Sequence, residues 1–366
     1  MKNKKILIVT PLFYPLFGGM EEQCYLLGQE FLRLGYGVDI LTERTKREFP
    51  AYENMDGLNV YRMAYIKKRN VLGYLKLASN LIFFVLKRQK DYEFCMMRTL
   101  TFPAIIVGFL KYLRLIKLKT IVTAETGGDG GDFAVLERDK FQKNAVFFLK
   151  KHDFLNSLSD DHLTQFKQLE FDSKKLVKLY NGIDISTFTK SSYPTKVSRF
   201  LFIGRLVREK GLRELLEAFK RVSAKHPSAK LYIAGDGPEK SYILGFIKDN
   251  KLAGNIEYVG FVSRDQKPSF FAKGDCIILP SYFEGFPVSI IEATIYKKLI
   301  IATDVSDLKL LYGRNIIFCK KRDWQDLRDK IVYTMENYSE SDFDYCEVIK
   351  RVNIKSLSEN LIELMK

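Results

Sequence analysis

Histidine is scarce in this chain and cysteine is scattered. Only His152, His162 and His226 occur among 366 residues. So few imidazoles exclude a His-built metal centre or a nucleophile–His triad as the main chemistry, and no metal ion is expected. The five cysteines, Cys24, Cys95, Cys276, Cys319 and Cys346, are odd in number. No two of them have metal-ligand spacing, which points to a reduced, cytoplasmic setting. Long hydrophobic runs are also missing. None approaches the ~20 residues of a membrane-spanning helix, so none is expected. The opening MKNKKILIVTPLFYPLF sets basic residues before an apolar run, as a signal peptide does. Two prolines interrupt it, and Gly-Gly-Met-Glu-Glu follows in place of a small-residue cleavage site. A buried first strand is the expectation.

What is present suffices for two full cores. The chain is 46% hydrophobic, and its length suits two domains better than one. Its formal charge is +15, unevenly spread. Residues 66–119 hold twelve Lys/Arg against two Asp/Glu, a net of +10. Leu, Ile and Phe interleave these cations, as in Leu81–Leu86 between Lys76 and Lys87–Arg88. That composition favours an anionic membrane surface over nucleic acid as a partner. An amphipathic core helix with a solvated basic face fits the same pattern.

Hydrophobic periodicity and glycine punctuation lay out alternating strands and helices. Strands are expected at 5–10, 38–42, 60–63, 120–124, 153–157 and 176–179 in the first half. The second half repeats the pattern at 200–204, 230–234, 256–259, 277–279 and 299–302. Helices are expected at 23–34, through the basic stretch, at 101–115, 141–151, 288–296, 324–335 and 356–365. This is an α/β chain built from parallel-sheet units. Gly18 and Gly19 stand at the carboxyl end of the first strand, where ligands of open parallel sheets bind. After the strand at 120–124, ETGGDGGDF gathers Glu125, Asp129 and Asp132. These carboxylates suit either acceptor hydroxyls or a solvated acidic loop.

The most informative stretch is CIILPSYFEGFPVSIIEATIYKKLIIAT, Cys276 to Thr303. It reads as strand, glycine turn, helix, strand. Gly285 and Phe286 offer amides at a helix N-terminus, with Pro287 at the first helical position, a place for a phosphate group. Glu284 precedes the helix and Glu292 lies within it. Eight positions at ~1.5 Å rise set them at most ~12 Å apart, too far to share a proton but suited to bracketing a diphosphate. Taken singly, each also fits a solvated surface glutamate.

This stretch resembles the Glu-x7-Glu signature of retaining glycosyltransferases of family 4, which have the GT-B fold. Glu284 and Glu292 fall on its two glutamates, and Glu-Gly-Phe-Pro on the usual Glu-Gly-Phe-Gly. Further on, Gly204, Arg205, Leu206, Lys210 and Gly211 match Gly-Arg-Leu-x-x-x-Lys-Gly. Gly235, Gly237 and Pro238 match Gly-x-Gly-Pro, and Asn181-Gly182-Ile183-Asp184 the Asn-Gly-Val-Asp segment between domains. The resemblance is strong from Gly182 to Asp304 and thin between residue 40 and there. It implies two Rossmann-like domains facing a central cleft: an acceptor domain at 1–180, a linker at 181–198 and a nucleotide-sugar domain at 199–350. Residues 351–366 would form a helix packing back on the first domain.

By the same resemblance, Glu284 contacts the donor sugar and Glu292 the ribose. Arg205, Lys210 and the amides of Gly285 and Phe286 hold the diphosphate. Gly18 and Gly19 close over the phosphates, Gly235, Gly237 and Pro238 lie near the nucleotide, and Phe261 and Val262 border the base. The expected activity is transfer of a sugar from a UDP- or GDP-linked donor, with retention and without a cofactor, to an oligosaccharide or lipid-linked acceptor. A nucleotide-sugar epimerase and a non-catalytic membrane-attached subunit share the fold as rival readings. The expected location is cytoplasmic, peripheral on the inner membrane face. Four departures stand out. Many members have a His where Glu125 stands. The family usually has Gly at Lys297 and Pro at Leu299, and often Gly-Gly at Ser306–Asp307.

Overall fold

The computed structural model describes residues 4–16, 18–67, 70–128, 131–138, 141–185, 193–338 and 343–366. Internal contacts divide it into two units, residues 1–183 with 353–366, and residues 184–352.

The first unit opens β1 (Lys5–Val9), α1 (Gly19–Arg33), β2 (Gly37–Thr42), β3 (Tyr52–Met55), β4 (Leu58–Arg62) and α2 (Val71–Arg88). It continues β5 (Tyr92–Arg98), α3 (Phe102–Tyr112), β6 (Lys119–Ala124), α4 (Asp132–Arg138), α5 (Gln142–Leu149), β7 (Phe154–Ser157), α6 (Asp160–Gln168) and β8 (Leu176–Lys178). The sheet order is β3-β4-β2-β1-β5-β6-β7-β8. Every pairing is parallel except β3 with β4. Alternation sorts the side chains to two faces. Leu7, Val9, Met97 and Val122 join Leu77, Leu81 and Val85 of α2 and Val107 of α3 on one side. Ile6, Ile8, Phe94 and Ile121 meet Leu27 and Phe31 of α1 on the other.

Two differences from the sequence expectation bear on the candidate site. Helix α1 starts at Gly19, four residues before residue 23, because Glu21 and Glu22 suit the positive end of a first turn. Strand β5 was not expected at all, yet it sits between β1 and β6 in the middle of the sheet. Its sequence, YEFCMMR, is buried at six of seven positions and shows no alternation to betray it.

The second unit comprises β9 (Arg199–Ile203), α7 (Leu212–Lys225), β10 (Lys230–Ala234), α8 (Lys240–Asp249), β11 (Ile256–Gly260), α9 (Lys267–Ala272) and β12 (Cys276–Leu279). It ends with α10 (Val288–Ile295), β13 (Leu299–Thr303), α11 (Leu308–Tyr312), β14 (Ile317–Cys319), α12 (Trp324–Asn337) and α13 (Cys346–Arg351). Six parallel strands run β11-β10-β9-β12-β13-β14. The order reverses between β9 and β12, the switch point at which such sheets open a crevice beyond their carboxyl ends. Helix α7 shows why the unit folds: Leu212, Leu215, Leu216, Phe219 and Val222 make one wholly buried stripe.

The chain then returns to the first unit. Ile183 pairs with Asn353 in an isolated parallel bridge, and α14 (Ile354–Leu364) packs beside α1. Ile354, Leu357 and Leu361 belong to the same core as Ile6, Ile8 and Phe31.

Candidate active site

In the second unit the candidate residues gather where the physics of a parallel sheet puts ligands, at the strands' carboxyl ends. Gly204 and Arg205 follow β9, Gly235 follows β10, Phe261 follows β11, and Glu284 lies beyond β12. The loops are laced by backbone bonds. Gly204 N donates to Ala234 O at 3.1 Å, Leu206 N to Asp236 O at 2.9 Å, and Gly235 N to Gly260 O at 2.8 Å. Two glycines permit this approach. A Cβ on Gly235 (φ 137°) would lie 1.9 Å from Gly204 O, and one on Gly211 (φ 69°) 2.1 Å from Pro280 O. The second contact brings the loops after β9 and β12 together at the switch point.

Four cations crowd the loop after β9 and the first turn of α7, and their partners tell them apart. Arg208 grips Glu214 with two bonds of 2.9 Å, and Arg213 grips Glu239 at 2.8 and 3.0 Å. Lys210 Nζ donates to Glu284 Oε1 at 2.5 Å, and Ser281 Oγ donates to the same oxygen at 2.7 Å. Arg205 is exposed, and no hydrogen bond or ion pair engages its guanidinium among the described residues. Arg208 and Arg213 therefore build the scaffold. Arg205 remains available to an anion, and Lys210 orients a carboxylate.

Glu292 is 9% exposed on α10, and Lys267 Nζ at the start of α9 donates to its Oε1 at 2.5 Å. Sequence reasoning missed Lys267, since nothing at a 25-residue spacing marks it. Gly285, Phe286 and Pro287 are buried. Helix α10 starts at Val288 as expected, and Pro287 occupies the N-cap rather than the first helical position. Ser306 Oγ donates to Gly285 O at 2.6 Å and so fixes the turn. Two departures from the resembled pattern also resolve. Lys297 (φ 49°) and Ser306 (φ 55°) both adopt the left-handed conformation that glycine takes readily. Phe261 is half exposed, Val262 buried and Pro238 exposed.

In the first unit, Gly18 is the extended N-cap of α1 and Gly19 its first residue. Gln23, one turn on, holds both backbone groups of Gly182, at 2.9 and 2.7 Å. Asp132 does not offer its carboxylate outward. It is 3% exposed and accepts from the amides of Leu100, Glu125 and Thr126 at 2.9, 2.7 and 3.0 Å, which makes it a builder of the loop rather than an acceptor contact. Asp129 lies outside the described residues.

Glu125 directly follows β6 and is 6% exposed. Its Oε1 forms an ion pair with Nε of Arg98, the last residue of β5, and Arg98 Nη2 donates to Asn181 Oδ1 at 2.8 Å. Burial raises the Glu125 pKa from 4.5 to about 7; Arg98 pulls the other way and the nearby Asp132 adds to the rise. Arg98 escaped the sequence reading because the strand that carries it did. His152, by contrast, is structural: buried, with ring nitrogens 3.0 Å from Thr120 Oγ1 and 2.9 Å from Ala104 O. Burial lowers its pKa to about 4. No three His, Cys, Asp or Glu side chains converge on a metal-sized site among the described residues.

With this geometry in hand, similarity to known proteins becomes specific. Residues 185–359 match the family model of glycosyl transferases group 1. That segment contains every candidate residue of the second unit. The chain is 25% identical over 326 residues to an uncharacterized glycosyltransferase of Methanocaldococcus jannaschii, spanning 83% of this chain and 81% of that one. It is 23% identical over 346 residues to the gpi3 subunit of phosphatidylinositol N-acetylglucosaminyltransferase from Schizosaccharomyces pombe, spanning 90% and 73%. Among solved structures, sucrose-phosphate synthase from Thermosynechococcus elongatus superposes with a TM-score of 0.77 at 16% identity, covering 99% of this chain and 98% of that one. Anabaena HepE in complex with UDP and glucose superposes at 0.73 and 17%, covering 98% of each. The fold is GT-B, with two Rossmann-like α/β units.

Proposed function

We propose that this chain is a family 4 type glycosyltransferase that moves a sugar from a UDP- or GDP-linked donor to a glycan or lipid-linked acceptor, with retention. The observation that carries this reading is the Lys210–Glu284 contact beside the unpaired Arg205 at the sheet's switch point. Arg205, Lys210 and the Gly285 and Phe286 amides receive the diphosphate. Glu284, oriented by Lys210 and Ser281, accepts hydrogen bonds from the donor sugar, and Glu292, oriented by Lys267, from the ribose. Gly235, Gly237 and Pro238 border the nucleotide, and Phe261 and Val262 the base.

In the reaction the bond from the anomeric carbon to the diphosphate oxygen breaks, and a bond to the acceptor oxygen forms on the same face. The acceptor proton passes to the departing phosphate. Negative charge grows on the leaving group, so preset cations and amides lower the barrier more than they tighten ground-state binding. Glu125 is the remaining acceptor-side candidate. The product belongs to cell-surface polysaccharide synthesis on the cytoplasmic membrane face. A thermal-shift screen of UDP- and GDP-sugars tests the donor reading: a selective nucleotide sugar stabilises the protein by mass action. Release of nucleoside diphosphate should then depend on added acceptor. No stabilisation by any nucleotide sugar, or release without acceptor, refutes the transferase reading.

A further inference from the structure

Helix α2 is apolar on both sides. Leu77, Leu81 and Val85 face the core, as an amphipathic helix requires. The opposite face should then be polar, yet Leu72, Leu75, Phe83 and Leu86 stand 75%, 59%, 66% and 37% exposed along it. Lys76 and Lys87 punctuate that face, and Lys87 Nζ lies 5.5 Å from the centre of the Phe83 ring. The helix contains no carboxylate, and it lies within the stretch of net charge +10. No helix among the described residues is long and apolar enough to cross a membrane.

We infer that the outward face of α2 docks the first unit on an anionic lipid bilayer, lying in the plane of the interface. Apolar side chains flanked by lysines suit the boundary between acyl chains and headgroups, where the lysine stems remain apolar and their ammonium groups reach the phosphates. A second copy of this chain is the weaker occupant. An isologous contact would set the Lys76 and Lys87 faces against each other, and like charges repel, whereas an anionic bilayer neutralises both. This inference does not rest on the glycosyl-transfer reading, because the docking is measured without turnover.

Flotation of the full chain with vesicles tests it. The protein should float with phosphatidylcholine–phosphatidylglycerol vesicles, much less with phosphatidylcholine alone, and less as salt rises. Replacing both lysines (Lys76→Ala with Lys87→Ala) should lower partitioning about thirtyfold. Leu72→Ser with Phe83→Ser should lower it at least about tenfold. All four side chains are exposed, so unchanged circular dichroism is expected and separates lost docking from lost folding. Wild-type protein that fails to float, or both double variants floating like wild type, overturns the proposal. So does a lipid-free dimer that the α2 variants dissociate. Failure of the donor screen leaves the flotation result untouched, so the two readings fail separately.

Discussion

Replacing Glu125 with Gln should flatten the pH dependence of stability between pH 5 and 8. The wild-type carboxyl is buried against Arg98, and burial raises its pKa from 4.5 to about 7. The folded state therefore binds its proton more tightly than the unfolded state does. Protonation of Glu125 favours the fold fully below about pH 4.5, and that contribution is lost as pH rises through 7. A displacement of this size integrates to about 3 kcal/mol overall, most of it between pH 5 and 8. Gln mimics the neutral acid without titrating, so the variant should gain on wild type by that amount across the range. Urea denaturation at several pH values measures it, with far-UV circular dichroism following both units. Fluorescence of Trp324, the chain's single tryptophan, follows the second unit and serves as the internal control. Taking the difference between variant and wild type cancels the other titrating groups. Parallel curves would refute the argument. A wild type that gains on the variant as pH rises would show instead that Arg98 outweighs burial.

Arg205→Ala and Lys210→Ala should each cost ~1.5–3 kcal/mol of transition-state stabilisation through lost charge-assisted bonds to the diphosphate; near-wild-type kcat/KM in both variants with a proven donor would misplace the phosphate site. Glu284→Gln should slow the chemical step more than Glu292→Gln, whose effect should lie mainly in donor binding; single-turnover rates decide, and equal losses would count against the assigned roles. Gly235→Ala should destabilise the second unit by several kcal/mol, since its Cβ would lie 1.9 Å from Gly204 O; an unchanged thermal midpoint would mean the loops after β9 and β10 are free to part.

The second unit was the more legible in sequence. Its strands are short apolar runs bounded by glycine or proline, and its ligand-facing loops carry fixed spacings of glycine, Arg, Lys and Glu. Such patterns are local, and local patterns survive in a one-dimensional string. The pairings that prepare the site do not. Lys210 with Glu284, Lys267 with Glu292 and Arg98 with Glu125 join residues separated by 74, 25 and 27 positions, and only the sheet order brings them together. Strand β5 stayed hidden for a related reason. A central strand covered on both faces loses the alternation that marks a half-buried one, and Cys95, Met96 and Met97 lack the branched or aromatic side chains that favour strands. Asp132 looked like a ligand because acidic residues near glycines suggest one. The backbone amides that occupy it cannot be read from side-chain identity.

The pairing of Ile183 with Asn353 has a topological consequence. Residues 184–352 are, in effect, an insertion between two neighbouring points of the first unit, because Ile354 N donates to Ile183 O at 3.0 Å. A short graft from Ile183 to Asn353 would therefore excise a whole Rossmann-like unit while leaving the host's chain ends already adjacent. Ending the polypeptide after residue 183 would be a far harsher cut. It would strip Ile354, Leu357 and Leu361 from the core shared with Phe31, so the first half of the gene alone does not encode a complete first unit.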